Sequence, residues 1–204
     1  MILTPIPRDR LDAALDCFAG QLGDPVAHAA FARIRATSPE HAEGAAAETH
    51  RQQALALARR CGMAIHPAGV VSAFNWDGTA LDGATEAYVI LHEAAHFVLA
   101  PPERRRLVDF GLGPGPDTAA RAVAERAAIL PMRERDTDEA AASLLGILWE
   151  AALGQPALAS FLDQNWLEGL ERSAAPHFSA VLRRLGAVEL PGGAGFQPSM
   201  REMR

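Results

Sequence analysis

Apolar residues recur at helical spacing along most of the chain. In its first part Leu11, Leu15, Phe18 and Leu22 fall on one helical face, and Gly23 can end that helix. The same pattern, together with Pro and Gly stop signals, predicts seven further helices. They are expected at about residues 25–35, 43–60, 83–100, 117–130, 138–153, 156–171 and 174–185. The chain is therefore predicted to be mainly α-helical.

One stretch departs from this pattern just before the helix at 83–100. Its β-favouring residues are Met63, Ile65, Val70, Val71 and Phe74, and Pro67 and Gly69 interrupt them. Such a composition favours one or two short strands. The predicted fold class is accordingly mainly α with a small β-sheet (α+β).

Composition and charge exclude several classes of protein. The 204 residues carry a formal net charge of −6, and all 19 basic residues are arginine. This balance argues against a broad surface for nucleic acid or for an anionic membrane. Cys17 and Cys61 are too few for a disulfide framework or a four-cysteine zinc site, and they fit reduced thiols. Because no signal peptide or transmembrane run is recognised, a cytoplasmic protein without membrane contact is expected.

The helix predicted at 83–100 carries the pattern H-E-x-x-H, in His92-Glu93-Ala94-Ala95-His96. Residues i and i+4 lie on one helical face, so both imidazoles can bind one metal ion. Glu93 stands beside the first ligand, where a carboxylate can act as a base toward a metal-bound water or a substrate. We therefore predict His92 and His96 as metal ligands and Glu93 as a catalytic residue. The alternative is a pair of surface or hydrogen-bonded histidines without a metal.

A third ligand is needed to complete such a site. The metzincin pattern is excluded, because Leu99 and Pro102 stand where its Gly and third His would be. A carboxylate on a later helix is the other solution. Glu139 is the best candidate, since it shares one face with Ala142 and Leu145 and would point toward the metal helix. Glu139 could instead be a first-turn carboxylate favoured by the helix dipole. The competing ligands are Asp138 and Asp136 and, with weaker support, Glu150, Glu125, His66 and His177.

Residues from the H-E-x-x-H helix onward follow a distinctive order. The helix residues His92 to Phe97 are followed by an Arg-Arg pair, an Asp-Phe-Gly step, a Pro-Asp loop, and a helix with a Glu near its start and Gly at its end. They are His92-Glu93-Ala94-Ala95-His96-Phe97, Ala100, Arg104-Arg105, Asp109-Phe110-Gly111, Pro116-Asp117, Glu139 to Gly154 and Asp163-Gln164-Asn165-Trp166-Leu167. This order resembles the bacterial elongation factor P hydroxylase family over about residues 85–186.

The resemblance implies a zincin-like fold in which the H-E-x-x-H helix packs against a second ligand-bearing helix. It implies His92, His96 and Glu139 as ligands of one divalent ion, with Glu93 beside it. It also implies hydroxylation of a protein substrate, which makes a translation factor one candidate partner. In domain terms we expect a helical N-terminal region at 1–62, a zincin-like core at 63–186 and a loose C-terminal tail at 187–204.

Three functions are compatible with a two-histidine, one-carboxylate site. The first is a non-haem Fe(II) hydroxylase or oxygenase, in which the open positions take O₂ and substrate. The second is a zinc metallopeptidase or other hydrolase of the small gluzincin type, with Glu93 as general base. The third is a non-catalytic binding protein with a structural metal. The substrate is expected to be a protein or a small molecule.

A short basic cluster follows the metal helix. Arg104-Arg105-Arg106 could dock an acidic protein partner or the carboxylate of a small substrate. Its other interpretation is a solvated face, with arginine paired to Asp109 or Glu103.

Overall fold

Eight α-helices, α1 to α8, account for most of the residues that the computed structural model describes, which are 6–70, 72–115, 118–167 and 174–186. Their bounds are Arg8–Gln21, Pro25–Arg35, Gly44–Arg60, Ala87–Leu99, Arg121–Ala127, Met132–Ala152, Ala157–Asp163 and Ala174–Gly186. The mainly helical character that the sequence predicts is confirmed. The predicted C-terminal tail at 187–204 and the expected start of α5 at residue 117 lie outside the described residues.

The prediction of a small β-sheet is wrong: the described residues contain no strand and form an all-α fold. Of the residues described in and just after this segment, only Ile65 and Trp76 form isolated bridges, both to Leu81. Pro67 has no backbone N–H to donate, and Gly69 reverses the chain with a φ of 84°. The segment therefore pairs one residue at a time. Because the described residues form no sheet, the expected zincin-like architecture is not supported either.

Helix α4, which carries the H-E-x-x-H pattern, lies at the centre of the fold and packs most extensively against α6 and α3. It is buried on nearly all sides, through Val89, Ile90, Leu91, Ala94, Ala95 and Val98. A helix whose apolar residues face so many directions is stable only inside a larger core. It ends at Leu99 because the two following prolines force Ala100 into an extended conformation, with φ −72° and ψ 139°.

Small residues let α4 and α6 approach closely. A Cβ at Gly146 of α6 would lie 3.3 Å from the Cα and the backbone nitrogen of His92. Ala94 and Ala95 on α4, and Ala141 and Ala142 on α6, are also fully or almost fully buried. The H-E-x-x-H helix α4 thus packs against the helix that carries Glu139, as expected from the sequence.

The N-terminal helices share their core with the last two helices. Phe18 of α1, Phe31 of α2, Phe161 of α7 and Phe178 of α8 pack together, with ring centroids 4.7 to 6.4 Å apart. Such tilted and edge-to-face contacts stabilise a core beyond the apolar area they bury. The division near residue 62 stays a prediction. Within the described part of the chain, no helix combines the length and the apolar character needed to cross a membrane.

Candidate metal centre

Two adjacent turns of α4 and one turn of α6 bring three side chains together. The Nε2 atoms of His92 and His96 are 3.0 Å apart. Glu139 Oε2 lies 3.4 Å from the first of these nitrogens and 3.3 Å from the second. His92, His96 and Glu139 thus meet at one point through one atom each, as the helical spacing predicts.

The size of this triangle fits a metal ion. Two ligand atoms that each bind one ion at about 2.1 Å are separated by about 3.0 Å at an octahedral angle and about 3.4 Å at a tetrahedral angle. All three edges of the triangle fall within this range. Among the described residues, these three form the one cluster of histidine, cysteine and carboxylate side chains that can hold a metal ion. Two imidazoles and a carboxylate suit Fe(II), Zn²⁺ and other divalent ions alike.

The three groups also stabilise one another electrostatically. Burial would raise the pKa of the Glu139 carboxyl, but His96 and His92 hold it well below its usual range. Burial likewise opposes a charged His96, yet the Glu139 carboxylate raises the pKa of that imidazole. A divalent cation bound here would take the place of protons on the ligand atoms, since ligands must be deprotonated to bind metal.

Glu139 lies in the interior of α6 rather than in its first turn. The helix starts at Met132, ahead of the expected start at Asp138. The helix-dipole interpretation of Glu139 is therefore wrong, since that effect fades beyond the first turn. Half of the Glu139 side chain and a quarter of the His92 side chain remain exposed, whereas His96 is almost fully buried. The triad consequently opens toward solvent on the Glu139 side.

Glu93 is buried beside the triad. Its Oε1 accepts a long hydrogen bond of 3.4 Å from the side-chain amide of Asn75. Burial raises the pKa of the Glu93 carboxyl. The charge of Glu139 raises it further, whereas His96 and His92 act to lower it. A carboxylate with a raised pKa is a better proton acceptor than an exposed one. The sequence pattern alone does not reveal Asn75, because it comes from the loop before α4.

Asp109 is a further carboxyl beside the site that the sequence does not single out as a site residue. Burial raises its pKa to about 6, and the charges of Glu93 and Glu139 contribute to the shift. The Thr118 hydroxyl donates a hydrogen bond of 2.9 Å to Asp109 Oδ2 and opposes the shift. Asp109 has a φ of 45° and Phe110 a φ of 53°, an unusual left-handed pair of non-glycine residues. Backbone strain of this kind clusters at functional sites.

The other candidate ligands lie elsewhere. Asp138 binds Arg104 at 2.6 Å and Arg184 at 3.3 Å, and both contacts are ion pairs. His66 pairs with Asp77 at 2.8 Å. His177 stacks on Trp166, with ring centroids 5.3 Å apart. Asp136 and Glu125 are exposed, and Glu150 is buried toward the far end of α6.

The arginine cluster after α4 is not a uniform docking surface. Arg104 is buried, and its guanidinium contacts the interior of the protein rather than Asp109 or Glu103. Arg105 donates to the carbonyl oxygens of Ala100 and Val98 and lies 4.9 Å from the centre of the Phe97 ring. Arg106 alone is exposed. Two of the three guanidinium groups therefore hold the chain after α4 in place.

Glu150 is a buried acid outside the metal site. Its side chain is 2 % exposed. Burial raises its pKa from 4.5 to about 8, and the nearby Asp163 acts in the same direction. Folding then favours the protonated acid. The stability that the protonated Glu150 contributes is fully present below pH 4.5 and is lost as the pH rises toward 8.

Glu150→Gln is expected to stabilise the protein selectively at alkaline pH. The gain should be near zero at about pH 5 and on the order of a few kcal/mol at about pH 8.5, because glutamine needs no proton to stay neutral. Urea unfolding at both pH values, with a chelator present, measures the difference. Glu134→Gln, at an exposed position of the same helix, is the matched control. Equal gains at the two pH values would contradict the assignment.

Comparison with known proteins finds no family model, no curated protein and no solved structure that matches this chain.

Proposed function

We propose that the chain is a metal-dependent enzyme in which His92, His96 and Glu139 hold one divalent ion and Glu93 acts beside it. The observation that carries the proposal is the triangle of ligand atoms, with edges of 3.0, 3.3 and 3.4 Å. A purely structural metal site is usually closed by a fourth protein ligand. Here no fourth candidate ligand joins the cluster among the described residues, and the open side favours a reaction at the metal.

The first candidate reaction is hydroxylation by a non-haem Fe(II) enzyme. Two histidines and one carboxylate are the ligand set that leaves positions for O₂ and substrate. The resemblance of residues 85–186 to the elongation factor P hydroxylase family supports this candidate. The bound iron would activate O₂ with electrons from an external donor. The protein's own part is to hold the ion, through His92, His96 and Glu139, and to admit the substrate on the open side.

The second candidate is hydrolysis, and the environment of Glu93 favours it. A metal ion lowers the pKa of a bound water, and a neighbouring carboxylate can then accept its proton. Glu93 is buried, its pKa is raised, and its hydrogen bond to Asn75 is long. These properties suit a general base more closely than a ligand.

A peptide library distinguishes the two reactions. Protein loaded with Fe(II) is incubated with O₂ and a reductant, and protein loaded with Zn²⁺ is incubated without them. Mass spectrometry then reads either the addition of one oxygen atom or new peptide termini. Oxygen addition supports the hydroxylase and new termini support the hydrolase. Neither product, from a protein that holds its metal, would contradict both candidate reactions on peptide substrates.

Glu93→Gln is expected to separate metal binding from hydrolysis. The amide keeps the size of the side chain but cannot accept a proton, so peptide hydrolysis should fall by about 100-fold or more. Metal content should stay at the level of the unmodified protein, because Glu93 is not one of the three ligands. Undiminished hydrolysis in this variant would exclude Glu93 as the base. The matched control is Glu134→Gln on the surface of α6.

A further inference from the structure

Arg104 is a buried cation on the short turn Arg104–Arg106 that follows α4. Only 8 % of the Arg104 surface is exposed to solvent. Its Nε donates to the carbonyl oxygen of Phe110 at 3.0 Å, and its Nη1 donates to Asp138 Oδ2 at 2.6 Å. A buried ion pair adds little net stability compared with apolar residues of the same size. The planar guanidinium does, however, bind the Phe110 carbonyl oxygen and the Asp138 carboxylate in one fixed geometry.

The first of these contacts is made to the backbone of Phe110, the residue whose ring lies on His96. Phe110 is fully buried, and its ring stacks on the His96 imidazole with centroids 5.5 Å apart and planes at 26°. The Phe110 ring also stacks on the Trp76 indole, with centroids 5.6 Å apart and planes at 1°. The left-handed backbone of Phe110 is unfavourable for an aromatic residue. The hydrogen bond from Arg104 to its carbonyl holds it there.

The second contact reaches the residue before Glu139. Asp138 is held from one side by Arg104 and from the other by Arg184 of α8, whose Nη2 lies 3.3 Å from Asp138 Oδ1. Adjacent residues of a helix are rigidly linked, so fixing Asp138 also fixes the rotation of α6 that turns Glu139 toward the histidines.

We infer that Arg104 is a positioning residue of the metal centre, which aligns the His96 ring and the Glu139 carboxylate through one buried guanidinium. The inference rests on the proposed metal site. It assigns to Arg104 no contact with metal or substrate. The interactions that orient metal ligands typically change metal affinity by about 10- to 100-fold when they are removed.

The test compares metal affinity at matched stability. The double variant Arg104→Met with Asp138→Leu removes both charges together, so no buried charge is left unpaired and the local net charge is unchanged. Zn²⁺ affinity is measured by competition with a chromophoric chelator, and Co²⁺ loading gives an absorption spectrum that reports ligand geometry. We expect Zn²⁺ to bind about 10- to 100-fold more weakly and the Co²⁺ bands to change. The melting temperature of the metal-free protein should stay close to that of the unmodified protein.

Arg106→Met is the matched control, because it removes an exposed guanidinium from the same turn as Arg104. It should leave Zn²⁺ affinity and the Co²⁺ spectrum nearly unchanged. Arg104→Lys keeps the charge but not the fork geometry, and it should also weaken Zn²⁺ binding. If the double variant does not fold, Arg104→Lys alone decides the question. Unchanged Zn²⁺ affinity and Co²⁺ spectrum in the Arg104 variants would overturn the inference. Failure of the unmodified protein to bind Zn²⁺ would instead contradict the metal centre itself.

Discussion

Zn²⁺ at about one hundred times its dissociation constant is expected to stabilise the folded protein by about 2.7 kcal/mol. For a chain of this length that corresponds to a rise in melting temperature of roughly 5–10 °C. The reason is linkage: the triangle of His92, His96 and Glu139 exists only in the folded state, because its atoms come from two helices. Thermal unfolding of chelator-treated protein, with and without added Zn²⁺, measures the effect.

Removal of any one ligand should abolish most of this stabilisation. His92→Ala, His96→Ala and Glu139→Ala each leave two ligand atoms, and we expect metal affinity to fall by more than about 100-fold. Matched controls are His28→Ala on the surface of α2 and Glu134→Ala on the surface of α6. Both controls should keep the full rise in melting temperature. A rise that persists in the three ligand variants would place the metal elsewhere.

Gly146→Val is expected to cost about 3 kcal/mol of folding free energy. The Cβ atom alone would lie 3.3 Å from the Cα and nitrogen of His92 and 3.4 Å from the carbonyl carbon of Leu91. These are backbone atoms of a buried helix, which cannot move aside as a flexible side chain would. The branched methyl groups add to this overlap and push α4 away from α6. Metal binding should weaken in parallel, because the backbone of His92 is displaced.

Two further variants isolate the steric effect at this helix contact. Gly146→Ala brings only the Cβ atom and gains helix propensity of about 1 kcal/mol, so its net effect should be small. Gly20→Val changes an exposed glycine of α1, where an added Cβ atom would meet no neighbouring atom within 4 Å. Chemical denaturation of all three variants gives the comparison. A Gly146→Val protein as stable as Gly20→Val would show that α4 and α6 do not approach this closely.

Local sequence signals are sufficient to predict most helices and the clustering of His92, His96 and Glu139. The bounds predicted for α2 match Pro25–Arg35, and α4 ends at the predicted Pro pair. The spacing of His92 and His96 fixes their common face in any α-helix. Glu139 stands out among the carboxylates because apolar residues at helical spacing define which side of α6 faces inward.

The sequence predictions fail where distant parts of the chain decide the outcome. The segment 63–74 has β-favouring residues, but a strand needs a partner over several residues, and here Leu81 offers only single bridges. The predicted start of α6 is too late because the residues before Asp138 are mostly polar and show no apolar period. In the sequence Arg104 belongs to a basic cluster, and nothing near it reveals Asp138 as its partner. Asn75 and Thr118 reach the site only through the tertiary fold.

Metal analysis of protein purified without added metal and without oxygen, in parallel with His96→Ala, tests the central claim most directly. We expect about one metal ion per chain in the unmodified protein and a large loss in the variant, whose remaining ligands are too few. Iron would support the hydroxylase, and zinc would support the hydrolase. A folded protein that contains no metal, and takes up neither Fe(II) nor Zn²⁺ when titrated, would contradict the metal centre and both reactions proposed for it.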